Sequence, residues 1–428
     1  MKDTSRLVER NYLIPFILIT LLFALWGFAN DITNPMVAGF QTIMELSAAK
    51  ASLIQFAFYG GYATMAVPAA LFIRRFSYKK GILLGLLLYA LGAFLFIPAA
   101  ARESFTFFCL SLYILTFGLA FLETTANPFI LSLGAKENST RRLNLAQSFN
   151  PVGSLTGMAV ASWVVLPGLL SDQHRDAAGV NHFAELPESV KAAERANDLG
   201  VIRDAYVALG IAVVIVFIII ALTKMPRTAG SGVRSKGTLG RLWRNVNYRE
   251  GVLAQMLYVG AQIMTWTFII QYADNLGIDK ATAQKYNIIA MGSFLCFRFI
   301  STYLMKYVNS RKLLAIFGCG AALCTLGAIL FVGPLGLGCL VAVSAFMSLM
   351  FPTIYGISLE NVSAEDSTLG ASFLVMAIVG GSILPPLQGS IIDFGTIFSH
   401  PAVNVSFCLP LLCFLVIIAY GIRSSKRI

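Results

Sequence analysis

The chain has 428 residues, of which 57% are hydrophobic and only 12% are charged. A typical soluble domain has about 25% charged residues, so this composition excludes a soluble globular protein. The net charge of +11 does not indicate nucleic-acid binding, because the basic residues are spread over short loops between apolar stretches. The sequence therefore predicts an all-α, polytopic membrane protein that is surrounded by lipid and binds no nucleic acid.

Twelve apolar stretches follow one another along the chain, and each can cross about 30 Å of hydrocarbon. We predict spans at 12–42, 50–73, 80–101, 105–133, 143–167, 203–225, 249–274, 282–306, 311–333, 336–359, 367–392 and 402–423. The first stretch is too long for the core of a signal peptide, so we expect it to be a span.

A basic segment at 226–248 separates the first six spans from the last six and contains no acidic residue. We predict an N-terminal half at 1–225, a cytoplasmic linker at 226–248 and a C-terminal half at 249–428. Most of the 32 Lys and Arg residues then lie on the side of the N-terminus and the linker. The positive-inside rule assigns this side, and with it both termini, to the cytoplasm.

A weak internal repeat relates the two halves. Residues 127–133 in the fourth span resemble 351–359 in the tenth. Two parallel six-helix halves form the pseudo-symmetric six-plus-six layout of major facilitators, with a substrate site near the middle of the membrane. In this alignment Glu123 corresponds to Met347, so acid chemistry is predicted for the N-terminal half.

Glu123 lies near the middle of the fourth span. A carboxylate at that depth costs about 2.5–3.5 kcal/mol on insertion scales, so it is expected to be functional. Asn127 lies one turn later on the same face, and Pro128 loosens the backbone beside it. The pattern predicts a proton site, an ion site or a substrate anchor. The alternative is a structural acid hydrogen-bonded to a neighbouring helix.

The first span contains a second acid, Asp31, between two asparagines. Asn30 and Asn34 share a helix face that Asp31 borders, and Pro35 is expected to kink or unwind the helix. A second carboxylate beside a break predicts a second proton-coupling residue, with Asn30 and Asn34 contacting substrate. The alternative places Asp31 in water at the outer end of the span.

Three further spans have polar side chains at helical spacing. In the fifth span, Gln147 and Asn150 offer uncharged donors and acceptors that suit a neutral polyhydroxy ligand; the alternative is a bond between helices. In the seventh span, Tyr258, Gln262 and Trp266 form one stripe that fits a sugar ring, and the alternative is a packing stripe. The remaining features are Asn287 as a weaker substrate contact, Arg298 as a structural cation that pairs with an acid or reaches the membrane surface, Gly380 and Gly381 in close helix contact, and Pro385 and Pro386 as a break in the eleventh span.

Several function classes lack their signatures in this sequence. No nucleophile with a neighbouring base, no Walker-type loop and no metal-ligand spacing is present. The three histidines, His174, His182 and His400, all fall in outside segments. We therefore expect no enzyme activity, no cofactor, no metal and no use of ATP.

The stretches Leu-Glu-Thr-Thr-Ala-Asn-Pro-Phe at 122–129 and Arg-Leu-Asn-Leu-Ala-Gln-Ser-Phe-Asn at 142–150 resemble the fucose permease family of sugar–proton symporters. Weaker likenesses at 258–266, 346–354 and 372–381 extend the resemblance over nearly the whole chain. It implies a major facilitator fold, with Glu123 as the coupling carboxylate and Gln147 and Asn150 in the sugar site.

The first helix departs from the family pattern. The acid of the family falls at the position of Asn34, whereas Asp31 lies three residues earlier, about one turn away. Either Asp31 substitutes from the neighbouring turn, or the role of the first-helix acid is altered.

These observations predict a proton-coupled symporter that imports a neutral hexose, with L-fucose as first choice, by alternating access. We expect a monomer in the bacterial inner membrane, with a small-molecule sugar and protons as its partners. One alternative is a glucose/galactose:proton symporter. The other is a proton-antiport exporter, which would release protons when its substrate enters the cell.

Overall fold

The structure is a computed structural model that describes residues 7–46, 53–174, 181–226, 237–278, 280–397 and 400–426. Twelve helices in these ranges are long and apolar enough to cross a membrane. The predicted all-α architecture with twelve spans is therefore confirmed.

The first six spans are mostly single helices. They are α1 (Leu13–Ile43), α2 (Leu53–Arg75), α3 (Tyr78–Phe94) continued by α4 (Phe96–Ala101), α5 (Phe105–Ser132), α6 (Ser139–Gln147) continued by α7 (Phe149–Val160) and a π-helical turn (Ala161–Val165), and α8 (Glu188–Leu222). Short 3₁₀ turns at Arg10–Tyr12, Lys136–Asn138, Leu166–Gly168, Leu170–Asp172 and Phe183–Glu185 lie between or beside them.

The last six spans follow a short helix, α9 (Thr238–Arg244). They are α10 (Val246–Asp274), α11 (Lys280–Leu304), α12 (Ser310–Leu330), α13 (Pro334–Met347) with α14 (Met350–Leu359), α15 (Ala364–Met376) with α16 (Gly380–Ile392), and α17 (Ala402–Ser406) with α18 (Cys408–Ser425). Before α17, β1 (Thr396–Ile397) pairs antiparallel with β2 (His400–Pro401), with Thr396 opposite Pro401.

The prolines do not break the spans where the sequence suggested. Helix α1 continues through Pro35, and α16 continues through Pro385 and Pro386. The eleventh span is instead interrupted earlier, by a 3₁₀ turn at Ala377–Val379. Membrane helices tolerate proline because neighbouring groups satisfy the freed backbone carbonyls. The expected unwinding at Pro35 and the expected break at Pro385 and Pro386 are therefore wrong, and a kink at Pro35 stays a prediction.

Helix α8 begins 15 residues before the predicted start of the sixth span at residue 203. Polar side chains in its first turns bind to other segments of the chain. Lys191 contacts Glu45 at 2.9 Å, and the fully buried Asp198 accepts the backbone N–H groups of Leu170 and Ser171 at 2.8 and 2.9 Å. Because these charged groups have protein partners, the helix extends beyond its apolar stretch.

The chain divides into two compact units. The first unit comprises residues 17–126 and 149–226, and the second comprises 1–16, 127–148 and 227–428. The boundaries predicted for the two halves and the linker are a separate division, and it stays a prediction.

In the first unit, α1 and α7 pack backbone against backbone. A Cβ atom added at Gly153 would lie 1.8 Å from the carbonyl oxygen of Ala24, and one at Gly27 would lie 2.0 Å from that of Asn150. Small residues permit such close approach of membrane helices. These glycines therefore fix the distance between α1 and α7.

In the second unit, Arg142 is a buried cap and not a solvated loop charge. Its fully buried guanidinium donates to the carbonyls of Ile130 and Leu131 at 2.8 and 2.6 Å. These carbonyls belong to the last turn of α5, where a cation also interacts favourably with the helix dipole.

A Cβ added at Gly380 would meet the Met256 carbonyl at 2.1 Å, which confirms the close helix contact expected there.

Candidate transport site

Glu123 is fully buried inside the first unit. Residues 118–130 of helix α5 are all buried, which is typical of a helix enclosed by others. The neighbouring Thr124 and Thr125 are also fully buried, and Thr125 donates to the Phe121 carbonyl of its own helix at 2.5 Å. The surrounding sequence therefore places the carboxyl group among other helices.

Tyr62 of α2 is one of the side chains that interact with this acid. It interacts electrostatically with Glu123, and its ring lies 6.3 Å from the Trp26 ring, centroid to centroid. The Tyr62 hydroxyl is enclosed beside the Trp26 side chain. In such aromatic surroundings a protonated carboxyl group costs far less than an ionised one. Proton coupling by Glu123 stays a prediction.

Asp31 of α1 has a similar neighbour. It is half-buried and interacts electrostatically with Tyr59, three residues before Tyr62 on α2. The sequence reasoning missed both tyrosines, although their spacing puts them on one helix face. Asn30 is half-buried, and the side chain of Asn34 lies outside the described residues.

The amides predicted in the fourth and fifth spans all form hydrogen bonds within the protein. In the second unit, the Gln147 amide donates to the Asn127 side-chain oxygen at 2.7 Å, and both side chains are buried. In the first unit, the Asn150 amide donates to the Phe23 carbonyl at 3.2 Å. Asn150 thus makes the bond between helices that the alternative described. Substrate binding by all three amides stays a prediction.

The stripe on α10 is bonded at both ends to α13. The Tyr258 hydroxyl donates to the Met347 carbonyl, and the Trp266 indole N–H donates to the Ser344 hydroxyl, each at 3.1 Å. Gln262, between them, is half-buried. These bonds are those of a packing stripe, and sugar stacking by Tyr258 and Trp266 stays a prediction.

Helix α11 presents Asn287 and Arg298 on its inner face, eleven residues or about three turns apart. Asn287 is half-buried, and its side-chain oxygen is enclosed without a partner in the described part of the chain. Across the residues that the structure describes, no group of three or more His, Cys, Asp or Glu side chains is arranged to hold a metal ion.

Comparison with known proteins identifies the family. Residues 19–386 match the model of the Major Facilitator Superfamily. The chain belongs to the Major Facilitator Superfamily. It is a transporter and not an enzyme, and the fold expected from the fucose permease resemblance is confirmed.

Individual relatives extend over the full chain. The L-fucose-proton symporter of Haemophilus influenzae is 60% identical and covers 99% of both chains. A glucose/galactose transporter of Brucella abortus is 28% identical, covering 98% of this chain and 96% of its own. The crystal structure of the Major Facilitator Superfamily transporter FucP in the outward conformation superposes with a TM-score of 0.88 at 34% identity, covering 97% of this chain and 99% of that chain.

Proposed function

We propose that this protein is a proton-coupled symporter that imports L-fucose by alternating access. The observation that carries proton coupling is Glu123, a fully buried carboxyl group within a membrane-spanning helix. The choice of sugar is supported by the 60% identity to an L-fucose-proton symporter over 99% of the chain. Import of glucose or galactose is the second candidate, supported by the lower identity of 28% to a glucose/galactose transporter.

Coupling follows from the cost of a buried charge. Glu123 takes up a proton on the outer side, which removes the penalty of an ionised carboxylate in a closed carrier. Protonation and sugar binding together favour the inward-facing state, and release of both on the inner side resets the carrier. One proton moving down 100 mV supplies about 2.3 kcal/mol, enough for roughly 50-fold accumulation of the sugar.

The remaining site assignments belong to the same proposal. Asp31 is a second proton-coupling residue, supported by its half-buried position within the first membrane-spanning helix. The substrate-binding residues that we propose are Asn30, Asn34, Asn127, Gln147, Asn150, Tyr258, Gln262, Trp266 and Asn287. The protein acts as a monomer in the lipid of the bacterial inner membrane, with both termini in the cytoplasm.

The test is to add L-fucose to unbuffered, de-energised cells that express the chain and to record external pH. We expect alkalinisation with the parent and none with Glu123→Gln. The matched control is Glu137→Gln, which removes an exposed acid just beyond the end of α5 and should leave the signal unchanged. Competition with galactose and glucose, measured as inhibition of labelled fucose uptake, separates the two sugar assignments.

Three results would contradict the proposal. Uptake of labelled fucose by the parent without a pH change would mean a uniporter or another coupling ion. Acidification would indicate proton antiport. Alkalinisation that persists in Glu123→Gln would leave the symport intact but remove its assignment to Glu123.

A further inference from the structure

Arg298 is a buried cation in the second unit that the proposed proton coupling does not use. It is 4% exposed and lies on the inner face of α11 with Met291 and Phe294. An arginine that reached the membrane surface would have its head group in water, so this side chain does not. The sequence-based expectation that Arg298 reaches the membrane surface is therefore wrong.

Among the residues that the structure describes, no acid forms an ion pair with Arg298, so the expected acidic partner is not found there. The Arg298 Nε and Nη1 atoms are enclosed and, within the described ranges, have no hydrogen-bond partner. Its neighbours include the Phe294 ring, whose centroid lies 4.8 Å from Cζ, and the Tyr258 hydroxyl, with which it interacts electrostatically. A cation–π contact holds the guanidinium in place but leaves its N–H donors unused.

Two further buried side chains of the second unit, each near Tyr258 or its bonding partner Met347 in sequence, have unused polar atoms. Ser348 directly follows Met347, whose carbonyl accepts the Tyr258 hydroxyl, and the Ser348 Oγ is enclosed without a partner in the described part. Gln255 is three residues before Tyr258 on the same face of α10, and neither of its amide atoms has a partner among the described residues. We call Arg298, Ser348, Gln255 and Tyr258 the Arg298 cluster.

Such a cluster is unusual in a protein interior. Buried polar groups are nearly always hydrogen-bonded, and each exception costs free energy that calls for an explanation. Three members of the Arg298 cluster are exceptions, and they come from three spans: α10, α11 and the turn between α13 and α14. A carrier alternates between states, so donors that are idle in one state are available for bonds made in another.

The chemistry of the cluster selects its ligand. A guanidinium, an amide and a hydroxyl offer many donors and no negative charge, which suits the oxygens of a neutral polyol. Phe294 adds an apolar surface next to the cation. Ser348 of the cluster directly follows Met347, and the internal repeat aligns Met347 with Glu123. The cluster therefore corresponds, in the second unit, to the proposed proton site, but none of its residues is an acid.

We propose that Arg298 is a sugar-binding residue, whose guanidinium donates to a hydroxyl or ring oxygen of the hexose when the carrier closes around it. This inference rests on the proposed function. Since the Nε and Nη1 donors have no hydrogen-bond partner to lose among the described residues, replacing Arg298 should weaken sugar binding without weakening the fold. A charge-assisted hydrogen bond corresponds to about a tenfold to hundredfold change in half-saturating sugar concentration.

The experiment is counterflow exchange of L-fucose in proteoliposomes, which needs no proton gradient. Arg298→Gln should raise the half-saturating L-fucose concentration by about tenfold or more with a smaller change in maximal rate, and Arg298→Lys should recover part of the loss. The thermal midpoint of Arg298→Gln should be no lower than that of the parent. Arg423→Gln, which removes an exposed arginine of the C-terminal half, is the matched control.

Deoxy sugars identify the contact itself. The parent should bind one monodeoxy analogue of L-fucose more weakly than L-fucose, and Arg298→Gln should no longer distinguish the two. Unchanged half-saturation and unchanged discrimination by both Arg298 variants would overturn the inference while leaving the symport in place. A lowered thermal midpoint with intact sugar affinity would mean that Arg298 is structural. A parent that exchanges none of fucose, galactose and glucose would overturn the inference together with the proposed function.

Discussion

The contact between α1 and α7 leads to a sharp prediction about Gly153. An alanine Cβ at this position would lie 1.8 Å from the Ala24 carbonyl oxygen, whereas ordinary contact begins at 3.4 Å. The oxygen belongs to helix backbone and cannot rotate away, so the two helices must separate by at least about 1 Å in a tightly packed region. Overpacking of this kind typically costs about 1–3 kcal/mol.

Thermal unfolding in detergent measures the effect. For a chain of 428 residues, 1 kcal/mol shifts the midpoint by about 1–2 °C, so Gly153→Ala should lower it by roughly 1–6 °C. The matched control is Gly292→Ala within α11, where an added Cβ meets nothing within 4 Å. Because alanine is the better helix former, that variant should be unchanged or slightly more stable. Equal midpoints for Gly153→Ala and the parent would refute the backbone-to-backbone packing of α1 and α7.

Two further predictions concern buried hydrogen bonds. Asn127→Leu and Gln147→Leu should each lower the thermal midpoint by the equivalent of about 1–3 kcal/mol, because each leaves a buried amide unpaired. The double variant should lose less stability than the sum of the two single losses. Additive losses would mean that the 2.7 Å bond between the two side chains is not made. Asp198→Ala should release the backbone N–H groups of Leu170 and Ser171 and speed proteolysis near residue 170 relative to the parent; an unchanged cleavage rate would show that this cap does not hold the segment.

The sequence alone determined the fold class. Lipid cannot hydrogen-bond to the backbone, so apolar stretches of this length can only cross the membrane as helices, and their number follows by counting. Glu123 could likewise be selected from one sequence, because an acid in the middle of a span is too costly to occur without a reason. The motif around it was specific enough to indicate the family.

The tertiary structure decided which groups the polar side chains meet. Arg142 lies in a polar stretch between two apolar spans, as a charged residue of a solvated loop would. The turn of the chain after α5 instead places its side chain over the carbonyl end of that helix. The polar start of α8 is helical because Lys191 and Asp198 find partners on other segments. Asn150 pairs with a helix more than a hundred residues away. Such partners are non-local, so periodicity within one span does not contain them.

For the same reason, the sequence predicts the burial of Glu123 but not the side chains around it. The cost of burying a carboxyl group depends on the residue and its depth, and both can be estimated from one span. The tyrosine beside it and the unused donors of Arg298 depend on how α2, α10 and α11 pack in their own units. The sequence therefore determined which ionisable residue lies within the membrane, and packing alone decided which side chains face it.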